Sequence, residues 1–172
     1  MVRAQPGSPA SAGPAGPRLA RDGGATDPAR VSDTGDPFDL ERFVQAQDGV
    51  YEQALRELRD GAKRGHWMWF VFPQVAGLGS SPTAQRYAVS GLDEAHAYLA
   101  HPVLGPRLVE CAQALLELGE RDPVRVLGSV DALKLRSSMT LFEAAAPDER
   151  VFGEVLERFY DGERDTATTS RL

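Results

Sequence analysis

The stretch 63–81 holds the richest set of side chains able to do chemistry. His66, Trp67, Trp69, Phe70 and Phe72 crowd into seven positions, followed by Gln74 and a loop containing Gly77, Gly79, Ser80 and Ser81. If this stretch is extended, His66, Met68, Phe70 and Phe72 face one side and Trp67, Trp69 and Val71 the other. Two indoles on one face beside a polar loop would make a wall for a flat ligand, such as a base. The competing reading is that all these rings are core, since large aromatics bury about 150–250 Å² each. The glycines let backbone N–H groups converge, and a helix start at Pro82 would add a positive dipole end, a pairing suited to an anion. Arg86, about one turn further on, could reach the same anion. The lysine of a P-loop is missing, so an ordinary loop is the alternative.

A second polar cluster holds Lys134, Arg136, Ser137, Ser138 and Thr140, with Asp131 nearby. Paired serines inside a helix are locally unfavourable, because both hydroxyls compete for backbone bonds. Such a departure marks either a site or hydroxyls bonded back to carbonyls. His66 and Asp131 are the acid–base candidates if the domain is an enzyme. His96 and His101 are five residues apart, which is not the spacing of a helical zinc pair, and no metal site is expected. No cofactor is specified by any motif. Cys111 falls on an apolar helix face and reads as an inert core thiol. The Gly-x-Ser-x-Gly of a hydrolase elbow is absent.

The elements that must position these groups are helical. Asp36-Pro37-Phe38-Asp39 reads as a helix start, with Asp36 as N-cap and Pro37 at the first position. Gly49 bends or breaks that element, and Gly61 ends the next helix. Ser81-Pro82 opens a short helix, and Ser90 to Asp93 has capping-box spacing. Leu104, Leu108, Cys111, Ala112, Leu115 and Leu118 mark the buried stripe of a longer helix. Asp122-Pro123 opens a short one. Asp131 to Ala146 and Val151 to Phe159 complete the pattern, with no alternating run long enough for a convincing strand. The expected fold is mainly α: seven to nine short helices with one non-helical aromatic and glycine-containing segment, spanning 36–165. Residues 1–35, rich in Ala, Gly, Pro and Ser and without an aromatic residue, are expected to be a disordered tail. Residues 166–172 are expected to fray.

Composition excludes some partners. The 172-residue chain has a formal net charge of −6, which disfavours non-specific binding to nucleic acid. No apolar run approaches the roughly 20 residues that span a bilayer. The run from Ala4 to Ala20 is broken by four prolines, so no secretory signal is read there, and a cytoplasmic location is expected. Oligomeric state has no signature in the sequence.

These motifs resemble a known family. His66-Trp67-Met68-Trp69-Phe70-Val71-Phe72-Pro73-Gln74 with Gly77-Leu78-Gly79-Ser80 is similar to the signature of the domain of unknown function 1810 family. Tyr98-Leu99, His101-Pro102, Leu104-Gly105 and Arg107-Leu108 fit its next block. Asp131 and Leu133 to Phe142 fit the third. The resemblance covers about 36–165 and implies a mainly helical fold. It implies no activity, substrate or catalytic residue. Members often carry the label calpastatin, which does not suit this chain: a protease-inhibitor repeat is disordered and polar, whereas this domain has a dense aromatic core. Three functions are compatible with the residues. The first is a domain binding a small anionic or nucleotide-like ligand through His66, Trp67, Trp69, Gln74, Gly77, Gly79, Ser80, Arg86, Lys134, Arg136, Ser137 and Ser138. The second is a hydrolase acting on an ADP-ribose-like group, suggested by analogy of layout alone. The third is a protein-interaction module without a pocket. The first two require the glycine loop and the Lys134 cluster to meet.

Overall fold

The computed structural model describes residues 35–172, so the expected tail lies almost wholly outside the described residues. Ten helices follow one another: α1 Glu41–Gln47, α2 Tyr51–Asp60, α3 Met68–Val71, α4 Pro82–Arg86, α5 Leu92–Ala100, α6 Leu104–Leu116, α7 Pro123–Leu127, α8 Ser129–Ala145, α9 Arg150–Tyr160 and α10 Thr166–Thr169. Two of them, the four-residue turns α3 and α10, fall where no helix was expected, which is why ten stand among the described residues where seven to nine were expected. The described residues contain no strand; extended pairing is limited to one isolated parallel bridge between Val75 and Val89.

Helix α8 is the axis of the fold. From Leu135 to Phe142 every residue but Arg136 is buried. A helix apolar on most sides belongs in the middle of a domain rather than on its surface. Helices α5, α7, α9 and α10 pack around it, and α6 closes the far side against α2, α5 and α9. Tyr98, Phe142 and Phe152 form a continuous ring stack through the core, with centroid spacings of 5.3 and 5.8 Å.

The first helix starts later than the sequence suggests. Asp36 is not its N-cap, a position Leu40 holds, but its carboxylate accepts from the N–H groups of Leu40 and Glu41 at 2.8 and 2.9 Å. A tight turn separates Asp36 from the helix, with Asp39 in the left-handed region at φ 52°. That turn is held by Arg42, whose guanidinium donates to the carbonyls of Phe38, Asp39, Arg86 and Ala88 and to Glu94 at 2.7 Å. The turn before α1 is thereby fixed to the segment that leads into α5. Gly61, at φ 68°, ends α2 in the left-handed conformation glycine adopts without strain. At α5 the expected serine cap is absent: the Ser90 N–H instead donates to Glu94.

Two further expectations are corrected. The aromatic segment is not wholly non-helical, since Met68–Val71 is one α-turn. The chain end does not simply fray: Asp165 caps α10 through the Thr168 N–H, Thr168 is fully buried, and Arg171 donates to the Gly77 carbonyl.

Candidate functional site

The helical turn at 68–71 sends the two tryptophans in different directions. Trp67 is fully buried, and its indole N–H donates to Glu57 Oε2 at 2.8 Å. Trp69 is half-buried and reaches an open cleft. An alternating strand would have kept both on one face, but a helix rotates about 100° per residue, so positions two apart diverge.

Each indole carries a lysine. Lys63 Nζ lies 5.0 Å from the Trp67 ring centroid, and Lys134 Nζ lies 4.2 Å from that of Trp69. Asp131 stands between the two ammonium groups, 2.7 Å from Lys63 and 3.4 Å from Lys134. Lys63 also donates to the Gly65 carbonyl at 2.5 Å, so its donors are largely spent within the fold. Among the described residues, Lys134 has only the more distant Asp131 contact and the ring face. Of the two lysines it is the one with more donor capacity left for a ligand.

Glu57 fixes the approach to this pair. Its Oε2 accepts from the N–H groups of Arg64 and Gly65 and from Trp67, and its Oε1 accepts from Gln53. Burial works to raise its pKa, but the Gly65, Arg64, Gln53 and Trp67 donors outweigh that and hold the carboxyl at about 2. A buried carboxylate is tolerated here because several donors replace its water. The loop 61–67 is therefore tied to α2, and the tie aims the aromatic segment.

The cleft has a volume of about 500 Å³, within the range of small-molecule sites. One wall is Trp69, Gln74 and the loop residues Leu78, Gly79, Ser80 and Ser81. The other is the α8 face of Val130, Leu133, Lys134, Arg136 and Ser137, and Asp165 and Ala167 close one end. Val130 and Leu133 are 64% and 65% exposed, an apolar rim on an otherwise polar mouth. Among the described residues, the N–H groups of Gly77, Leu78, Gly79, Ser80 and Ser81 make no hydrogen bond to the protein. The start of α4 is less available than expected, because the Ser81 hydroxyl already caps the Ala84 N–H at 3.1 Å.

The polar residues of α8 divide between holding the fold and facing the cleft. Arg136 lines the cleft but donates to the carbonyls of Glu163 and Arg164 and to the Glu163 carboxylate, at 3.0 to 3.2 Å. It secures the strap that carries Asp165. Ser137 bonds back to the Leu133 carbonyl at 3.1 Å and also to Asp165 at 3.0 Å. Burial works to raise the Asp165 carboxyl, but donation from Thr168 and Ser137 prevails and holds it below the ordinary carboxylate range. Asp165 is thus a charged carboxylate at the end of the cleft opposite in sign to Lys134.

The fold brings together eight of the expected residues. Trp69, Gln74, Gly79, Ser80, Lys134, Arg136 and Ser137 line the cleft, and Gly77 adjoins it beneath Arg171. Four stand apart. Trp67 is core, and Ser138 is fully buried with its hydroxyl unpartnered, because its helical position turns away from that of Ser137. His66 is exposed outside the cleft lining, and Arg86 is exposed with its guanidinium over Tyr87 at 5.6 Å. The hydrolase candidate Asp131 is likewise absent from the lining and is engaged by both lysines. Asp165 is the residue that sequence reasoning missed. Its only signal is an Asp-Thr pair typical of a helix cap. Val130 and Leu133, spaced three apart on the polar side of α8, could have been found by helical projection. Cys111 is buried, and burial first, then the Glu110 charge, push its thiol up to about 12, so it is inert. Among the described residues no three His, Cys, Asp or Glu side chains gather closely enough to hold a metal ion, and no helix is long and apolar enough to cross a membrane.

Fold and cleft together define a small all-helical domain with one tryptophan–lysine-lined groove. The family described as "Protein of unknown function (DUF1810)" matches residues 37–172, and the chain belongs to that family. A crystal structure of the conserved hypothetical protein Rv1873 from Mycobacterium tuberculosis is similar at 52% identity, covering 80% of this chain and 98% of that one, with a TM-score of 0.78. Among curated proteins, none matches the chain.

Proposed function

We propose that this domain binds a small anionic, nucleotide-like ligand in the cleft between Trp69, loop 78–81 and the 130–137 face of α8. One observation carries the reading. Lys134, a cation with little else to bind, lies 4.2 Å over the Trp69 ring in the cleft that also receives the glycine loop. These come from two separate parts of the chain, the stretch 63–81 and α8, and their convergence supports a site over independent core motifs. The unpartnered N–H groups of the loop would add donors for an anion. Trp69 would supply an apolar wall, and the buried thiol suits a cytoplasmic protein. The hydrolase alternative has less support, because neither His66 nor Asp131 lines the cleft.

The test is titration of the protein with adenosine 5′-monophosphate, read by calorimetry, in the native chain and in Lys134→Met. Saturable binding that weakens at least tenfold in the variant is expected, since a charge-assisted contact is lost. Equal affinity in both proteins, or no binding at millimolar ligand, overturns the reading.

A further inference from the structure

Two groups of opposite charge, Lys134 and Asp165, line the cleft, and this narrows the chemistry of what can fill it. We propose that the ligand is a sugar phosphate, whose phosphate sits at Lys134 and the loop amides and whose hydroxyls donate to Asp165. The proposal rests on the binding site described above and specifies its ligand.

A purely anionic ligand meets a difficulty in this groove. Asp165 lines it, and the donors around that carboxylate keep it ionised. A second negative charge laid beside it would be repelled. Asp165 calls for the opposite partner, a hydrogen-bond donor that is not itself an anion. Its Oδ2 already collects Ser137 Oγ at 3.0 Å, the Thr168 N–H at 3.1 Å and Thr168 Oγ1 at 2.5 Å. The Ala167 N–H also donates to the carboxylate, and Oδ1, which receives none of the first three, keeps capacity to accept.

The spacing fits one small molecule reaching both groups. Lys134 and Ser137 are three residues apart on α8, about 4.5 Å along the helix axis, and Ser137 touches Asp165 directly. An anion and a pair of hydroxyls must therefore be carried on one compact skeleton. A phosphorylated furanose does so, with phosphate on the exocyclic carbon and vicinal hydroxyls across the ring. Free phosphate lacks the hydroxyls, and a free sugar lacks the anion. The volume of about 500 Å³ also leaves room beyond the sugar, toward Trp69 and the Val130–Leu133 rim, where a base could lie.

Four probes on the full chain test this by calorimetry: inorganic phosphate, ribose, ribose 5-phosphate and adenosine 5′-monophosphate. Ribose 5-phosphate is expected to bind at least tenfold more tightly than inorganic phosphate, the gain of a hydrogen bond to a charged acceptor. Ribose alone is expected to give no saturable signal at the same concentrations. Asp165→Asn retains an acceptor for the Thr168 N–H and so keeps the α10 cap. In it, ribose 5-phosphate should fall to within about twofold of inorganic phosphate. The native-chain ratio tests the proposal even if that variant does not fold. Adenosine monophosphate binding threefold or more tighter than ribose 5-phosphate assigns the phosphate to a nucleotide; equal affinities assign it to a free sugar phosphate. If phosphate binds and ribose 5-phosphate is no tighter, the sugar-phosphate assignment is overturned and the anion site stands. If none of the phosphate-bearing probes binds, both are overturned.

Discussion

Trp67 and Trp69 are two residues apart, of the same type, and each lies under a lysine ammonium, yet they live in opposite conditions. Around Trp67 most of the polar capacity is used. The indole N–H goes to Glu57, Glu57 is filled by backbone and side-chain donors, and Lys63 is held by Asp131 and a carbonyl. Around Trp69, among the described residues, capacity is left over: a lysine with one distant partner, a run of unpartnered loop amides, and a carboxylate with an acceptor position to spare. The difference teaches that cation–π geometry alone does not mark a site. What separates scaffold from site here is whether the surrounding donors and acceptors are already satisfied.

The comparison can be broken by substitution, and the largest effect belongs to the satisfied side. Glu57→Ala leaves the Arg64, Gly65 and Trp67 donors unpaired in a buried setting and should cost about 3 kcal/mol of stability by denaturant unfolding. Its pH dependence has a definite sign. The folded carboxyl is held at about 2, below its ordinary 4.5. Its contribution is therefore complete above pH 4.5 and lost as pH falls toward 2. The stability gap between the native chain and Glu57→Gln should narrow over that window and stay constant from pH 5 to 7.

Trp67→Phe comes next. It opens a cavity and removes a donor to Glu57, for about 2 kcal/mol, whereas Trp69→Phe should cost under about 1 kcal/mol. Equal costs at the two positions would erase the contrast. Lys134→Met should change stability by less than about 1 kcal/mol, because Asp131 keeps Lys63, while ligand affinity falls at least tenfold. Arg86→Ala should alter neither stability beyond about 0.5 kcal/mol nor affinity, since its guanidinium faces Tyr87 away from the cleft.

Much of the scaffold was legible. Helix stops at Gly49 and Gly61, the Ser81 and Asp122 caps, and the buried stripe of α6 all arise from local rules that act within one or two turns. The aromatic segment was not, because seven apolar positions satisfy strand and helix periodicity alike. Its single α-turn starts from Trp67, which is tied to Glu57 ten residues earlier, and no local pattern encodes that tie. The site was half legible for the same reason. Residue types flagged Trp69, the loop and Lys134, but Asp165 lies at the cleft in a strap, 163–165, that Arg136, Ser137, Thr140 and Glu143 tie to α8 across more than twenty residues of sequence. Trp67 and Ser138 were indistinguishable from their neighbours until the helix rotation was known.

The chain has two tryptophans, so an amide correlation spectrum of isotope-labelled protein contains two indole N–H signals, one for each side of the comparison. Titration with adenosine 5′-monophosphate should move the Trp69 indole signal and the backbone amides of 78–81, and leave the Trp67 indole in place. Both indole signals standing still at millimolar ligand, or shifts centred away from loop 78–81 and Lys134, would contradict the account.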